Sequence, residues 1–189
     1  MSPNPISVTR LALARHWLHA GGIIAYPTEA VYGLGCDPRN GAAVKRLLAM
    51  KQRPQHKGLI LIADRFEALA PYVHLLDAER MAEIRASWPG PNTWLLPARE
   101  TTPNWLTGSH RTLAVRVTAH PLAAALCRAW GGALVSTSAN LGSRPPARRA
   151  LEVRWRLTMQ PDLIVAGACA GSDRPSTIRD GLSGRLLRG

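Results

Sequence analysis

Residues Gly58-Leu59-Ile60-Leu61-Ile62-Ala63 form an apolar run with no polar side chain. A short run of that kind, without alternation, reads as a strand covered on both faces. It therefore calls for a sheet with helices packed on either side. Ile23-Ile24-Ala25 reads the same way and leads into Tyr26-Pro27-Thr28-Glu29-Ala30-Val31-Tyr32-Gly33-Leu34-Gly35. Pro27 has no N–H to donate and ends ladder pairing there. A polar turn and two glycines follow, which read as neither strand nor amphipathic helix. Hydroxyl and carboxylate groups at the end of a buried strand are how open α/β sheets build ligand sites, and an ordinary strand-to-helix loop has the same pattern.

The rest of the chain fits that frame. Thr9 is the expected N-cap of a first helix carrying Leu11, Ala14 and Leu18 on one face and ending at Gly21-Gly22. A second helix is expected over 41–51, with Val44, Leu47 and Leu48 at i, i+3 and i+4 and Pro54 as its stop. Asp64 and Asp77 are placed to cap two short helices around Pro71. Strands are expected at 93–96, 112–117, 133–138, 163–166, 176–179 and 185–188, with helices at 121–130 and 150–157. Elements interleave without an internal repeat or linker, and some strands follow one another through turns alone. The expectation is one α/β domain over 7–189, with a mixed parallel and antiparallel twisted sheet, after a short N-terminal segment at 1–6.

The 189 residues carry a formal net charge of +12, which favours polyanionic partners such as nucleotides or RNA. Only Lys45, Lys51 and Lys57 are lysines, so a genome-wide preference for arginine is a second source of that excess. Cys36, Cys127 and Cys169 are far apart and fit reduced thiols in a cytoplasmic protein. No apolar run approaches the roughly 20 residues of a membrane span, and the N-terminus lacks the charged and apolar segments of a signal peptide.

Several polar stretches carry chemistry. Lys51 continues the apolar face of the second helix from Val44, where an ammonium calls either for an anion or for the helix C-terminus. Arg116 points away from the face of Leu113, Val115 and Val117, toward solvent or a cleft; its guanidinium suits a carboxylate or phosphate. Ser136-Thr137-Ser138-Ala139-Asn140 ends a strand in hydroxyls that fit phosphate or ribose contacts, or a polar turn. Ser172 to Asp180 fits a second anion clamp or a surface ion-pair network. Trp94, Trp105 and Trp155 suit base stacking or core and turn positions. Walker A and G-x-G-x-x-G sequences are absent, and the histidines show no metal-site spacing.

Taken together these stretches resemble the YrdC/TsaC family, the threonylcarbamoyl-adenylate synthases. The matching motifs are Tyr26 to Gly35, Lys51-Gln52-Arg53-Pro54, Trp88-Pro89-Gly90-Pro91 with Thr93, Ala114-Val115-Arg116-Val117, Ser136 to Asn140, and Pro175-Ser176-Thr177-Ile178-Arg179-Asp180. They occur in the family's order over nearly the whole chain. The resemblance implies a twisted α/β fold around a large positively charged cleft. It implies that L-threonine and bicarbonate form a carbamate, which attacks ATP to give threonylcarbamoyl-AMP and pyrophosphate. Other proteins then transfer the group to the adenosine beside the tRNA anticodon.

By the same resemblance Thr28 contacts threonine, and Lys51 and Arg53 meet the ATP phosphates or the carbamate. Arg116 meets the threonine carboxylate or a phosphate, Ser136, Ser138 and Asn140 line the nucleotide side, and Ser176 closes the site near the substrate. ATP is a substrate, and Mg²⁺ is expected on its phosphates rather than on protein ligands. Glu29 is either a general base for carbamate formation or a solvated loop residue. Leu141-Gly142-Ser143 departs from the serine-glycine the family often has after the asparagine. The likeness is to the short bacterial form, without the extra C-terminal domain of longer relatives and dependent on partner proteins for transfer to tRNA. A protein that holds double-stranded RNA or tRNA without catalysis is the alternative reading of the same charge. Carbamoyl transfer to another acceptor, as in larger enzymes with such a domain, is a third.

Overall fold

The computed structural model describes residues 7–142, 144–172 and 175–189. Asp173 and Arg174 of the expected second anion clamp, Ser143, and the 1–6 segment lie outside the described residues. The chain opens with α1 (Val8–His19), β1 (Ile24–Pro27), β2 (Tyr32–Gly35), α2 (Gly41–Lys51) and β3 (Ile60–Ala63). Three 3-10 turns between 55 and 72 lead to α3 (Ala78–Ala86), β4 (Asn92–Pro97), the single turn α4 (Asn104–Thr107) and β5 (Thr112–Val117). The remainder is α5 (Pro121–Trp130), β6 (Leu134–Ser138), α6 (Ala150–Arg156), β7 (Leu163–Ile164), β8 (Thr177–Asp180) and β9 (Leu186–Arg188).

The strands form one mixed sheet in the order β7-β1-β2-β6-β3-β5-β4-β8-β9. The pairs β1/β7, β3/β5 and β4/β8 are parallel, and the other neighbours are antiparallel. Alternation along the strands splits the core into two layers. Ala25, Leu61, Val115 and Val135 pack with α2 residues on one face. Ile24, Tyr26, Ile62 and Leu134 pack against α1 and α5 on the other. The run at 58–63 is thus covered on both sides, as its composition requires.

Local chemistry explains the element ends. Asn40 accepts the Ala43 N–H at the start of α2, Asp77 accepts that of Arg80 in α3, and His120 caps α5. Three expectations need correction. Arg10 and Leu11 donate to the Ser7 carbonyl, so α1 starts at Val8 and Thr9 lies inside its first turn. The turn after Asp64 has no side-chain cap, because that carboxylate pairs with Arg65 and Arg128. Tyr32 to Gly35 is a strand, paired antiparallel to both β1 and β6. The stretch is a hairpin turning at 28–31 rather than a strand-to-helix loop, and Pro27 keeps its place opposite Tyr32 as the last residue of β1.

Candidate active site

The face of the sheet that carries α1 and α5 is not covered along its whole length. On β6 the residues of that face are Leu134, Ser136 and Ser138, apolar beneath the helices and hydroxyl-bearing beyond them. On β5 the same face presents Arg116, paired in register with Ile62. On β2, Gly33 stands opposite Ser138. A Cβ on Gly33 would lie 3.3 Å from Thr28 Cγ2 and 3.4 Å from Ser136 Oγ, so glycine keeps this corner open. The result is an open cleft of about 310 Å³.

Six of the eight candidate residues line it: Thr28, Arg53, Arg116, Ser136, Ser138 and Ser176. The Thr28 hydroxyl donates to Val31 O at 2.6 Å, closing the hairpin turn and leaving its oxygen free to accept. Ser176 Oγ accepts from the buried Thr93 hydroxyl at 3.0 Å. The Arg53 guanidinium donates to Gly58 O at 2.9 and 3.3 Å.

Lys51 and Asn140 stand behind this wall. The Lys51 ammonium is buried and donates to Ser138 O, and to Asn140 O and Oδ1 at 3.0 Å each. Helical period places it inward as expected, but the partners it meets there are neutral oxygens rather than an anion. Burial, and secondarily the nearby Arg53, pushes its pKa down to about 8. Asn140 also accepts from Ser138 Oγ at 2.6 Å and donates to Gly142 O and Arg144 O. Together they pin the loop after β6.

Arg188 and Pro146, which sequence reasoning did not place there, also border the cleft, as does Glu29, for which a general base and a solvated loop residue are the two sequence readings. Arg188 comes in on β9, whose antiparallel pairing with β8 brings it beside Ser176, where it donates to Ser176 O at 3.0 Å. Burial and then the charge of Arg116 lower the Arg188 pKa, while burial and then Arg188 lower that of Arg53. Arg188 thus sits in the field of both Arg53 and Arg116. Glu29 is not a solvated loop residue. It is 7% exposed, with Oε2 3.3 Å from Arg116 Nη2 and Oε1 accepting from the Thr118 hydroxyl and the Ala119 N–H. Arg116 Nε is buried and has no hydrogen-bond partner in the protein.

An apolar depression of about 300 Å³ adjoins the cleft, sharing Ile60 and Arg188 and walled by Leu59, Leu95 and Leu106. Of the tryptophans, Trp94 is core, Trp105 donates to Pro38 O, and Trp155 is exposed on α6. Among the described residues no group of three His, Cys, Asp or Glu side chains is placed to hold a metal, and no helix is long and apolar enough to cross a membrane.

Fold and site define an α/β protein with a cleft of hydroxyls and arginines at the open end of one sheet face. Residues 16–189 match the profile of the Sua5_yciO_yrdC family, described as "Telomere recombination", and the chain belongs to that family. It is 59% identical over 171 residues to a threonylcarbamoyl-AMP synthase of Halorhodospira halophila, covering 90% of each chain. It is 54% identical over 183 residues to one of Methylococcus capsulatus, covering 97% of this chain and 98% of the relative. Among solved structures it is similar to P. abyssi Sua5 complexed with L-threonine, with a TM-score of 0.91 and 31% identity. That match covers 98% of this chain and spans 55% of the Sua5 chain. E. coli YciO aligns with a TM-score of 0.86 and 27% identity, over 98% of this chain and 91% of that one.

Proposed function

We propose that this chain is a threonylcarbamoyl-AMP synthase, with residues 7–189 acting as one catalytic domain. Relatives bearing that name at more than 50% identity over nine-tenths of the chain support the activity. The observation that carries the site is the trio Arg53, Arg116 and Arg188 around one cleft, with Glu29 the one carboxylate among the described residues of its wall. Guanidinium groups gathered on one cleft repel one another and are relieved by anions, and the reaction has three anionic reactants: ATP, bicarbonate and the threonine carboxylate.

In this reading threonine lies between Thr28, Ser176 and Arg116, its carboxylate on the Arg116 guanidinium, whose Nε has no partner in the protein. The ATP phosphates lie toward Arg53, Arg188, Ser136 and Ser138, and the apolar depression gives adenine a dry surface. Lys51 and Asn140 serve the nucleotide side by fixing Ser138 and the loop after it. The threonine nitrogen bonds to the bicarbonate carbon with loss of water. A carbamate oxygen then attacks the α-phosphorus, and pyrophosphate leaves. The chain's contribution is alignment and charge neutralisation, since adenylyl transfer needs little covalent help. Mg²⁺ belongs to this reading as an ion carried on the ATP phosphates. A cytoplasmic enzyme serving separate threonylcarbamoyl-transfer proteins and tRNA completes the proposal.

The test is pyrophosphate release from ATP, with threonylcarbamoyl-AMP followed by mass spectrometry. Release that needs both threonine and bicarbonate is the expected result. Tight, salt-sensitive RNA binding with no turnover would instead make this a non-catalytic RNA-binding protein.

A further inference from the structure

We infer that Glu29 is a positioning residue for threonine: it acts through Arg116, holding the guanidinium at the cleft wall in the orientation that receives the substrate carboxylate. This rests on the reading that Arg116 holds that carboxylate. An acidic side chain in a cleft for anions is adverse unless something neutralises it and gains from it. Glu29 meets both conditions. Its Oε2 sits 3.3 Å from Arg116 Nη2, which occupies one end of the guanidinium fork. Its Oε1 is held by two donors, Thr118 Oγ1 at 2.8 Å and Ala119 N at 3.1 Å. The carboxylate cannot swing without giving these up, and at 7% exposure it has little water to turn to.

The anchor is itself braced. Thr118 Oγ1 accepts from His120 N at 3.2 Å, and His120 both caps α5 and reaches Ala168 O at 3.0 Å through Nε2. On the main chain, Ser172 N donates to Glu29 O at 3.0 Å and Ala170 N to Thr28 O at 3.2 Å. Glu29 therefore ties the β1–β2 turn, the β5–α5 junction and the 168–172 segment to one guanidinium. With Nη2 ion-paired to Glu29 and Nε buried without a hydrogen-bond partner, Arg116 keeps donor capacity for a second carboxylate. Both carboxylate oxygens already face Arg116, Thr118 and Ala119, which separates this role from that of a general base.

The experiment measures threonine and ATP dependence for Glu29→Gln, Arg116→Gln and the double variant, with thermal unfolding alongside. Glu29→Gln keeps the shape but turns an amide toward the guanidinium. Threonine KM is expected to rise about tenfold or more, with ATP KM within about threefold. In the double variant threonine KM is expected to match that of Arg116→Gln alone, because Glu29 has nothing left to act through. Additive effects, or a fall in kcat at unchanged threonine KM, would overturn the inference. Should Glu29→Gln fail to fold, Thr118→Val removes one Oε1 donor at constant shape. A threonine KM raised about threefold supports the inference, and an unchanged one overturns it. If Arg116→Gln itself leaves threonine KM unchanged, the placement of threonine on Arg116 fails first, and this inference with it.

Discussion

Arg116 and Lys51 are both buried cations beside one cleft, 7% and 4% exposed, and their surroundings differ in kind. Arg116 has a carboxylate on one end of its fork and nothing on Nε. Lys51 has three N–H bonds and three oxygen acceptors, all from the Ser138–Asn140 turn. An ammonium with every donor engaged has no valence left for a ligand in that arrangement, whereas a guanidinium with a buried, unused N–H is waiting for one. In a cleft, buried charge with unused hydrogen-bonding capacity distinguishes a candidate for ligand contact from a cation that is already satisfied. The proposed function accordingly gives Arg116 to the substrate and Lys51 to the scaffold that shapes the nucleotide side.

The largest effect separating them is expected at Arg116→Gln. It removes the charge-assisted contact to threonine and strands Glu29, so kcat/KM for threonine in a steady-state assay should fall on the order of 100-fold or more. Lys51→Met should act differently. Ser138 O and Asn140 lose their donor, and chemical denaturation should register a loss of about 1–3 kcal/mol. Threonine KM in the same variant should stay within about threefold while ATP KM rises.

The contrast was half legible in the sequence. Helical period alone placed Lys51 inward on α2, and strand alternation placed Arg116 opposite Val115 and Val117. Neither rule names a partner. The Lys51 acceptors lie 87 and 89 positions away, and Thr118, which holds Glu29, also lies 89 away. Such contacts arise only when β2, β6, β3 and β5 align, an order that local pattern does not encode. Tyr32 to Gly35 was missed as a strand for a similar reason. Its two glycines read locally as turn residues, and only pairing on both sides makes it a strand. Arg188 was missed because β9 is short and exposed along its length, with no periodic signal to direct it. By contrast, α2 followed from its apolar stripe and the stop at Pro54, and α5 from Pro121, all of which are local.

A smaller effect concerns pH. Lys51 keeps its proton to about 10.5 in the unfolded chain but releases it near 8 when folded. Between those values the unfolded state binds more protons, so stability contributed by this group rises with pH. Wild type should gain on Lys51→Met by up to about 1.4 kcal/mol per pH unit in that window, measured by denaturation at matched ionic strength. A gap that stays constant from pH 7 to 10 would contradict the lowered pKa. The smallest effect is expected at Ser176→Ala, which leaves Thr93 Oγ1 without an acceptor and removes one hydroxyl from the ligand wall. Threonine KM should rise about two- to tenfold, the range of a single neutral hydrogen bond.

The most direct test of the contrast is calorimetric titration of L-threonine into wild type, Arg116→Gln and Lys51→Met. Binding should vanish in Arg116→Gln and persist with near wild-type affinity in folded Lys51→Met. Threonine binding that survives loss of Arg116 but disappears with Lys51 would reverse the roles of the two cations and contradict this account.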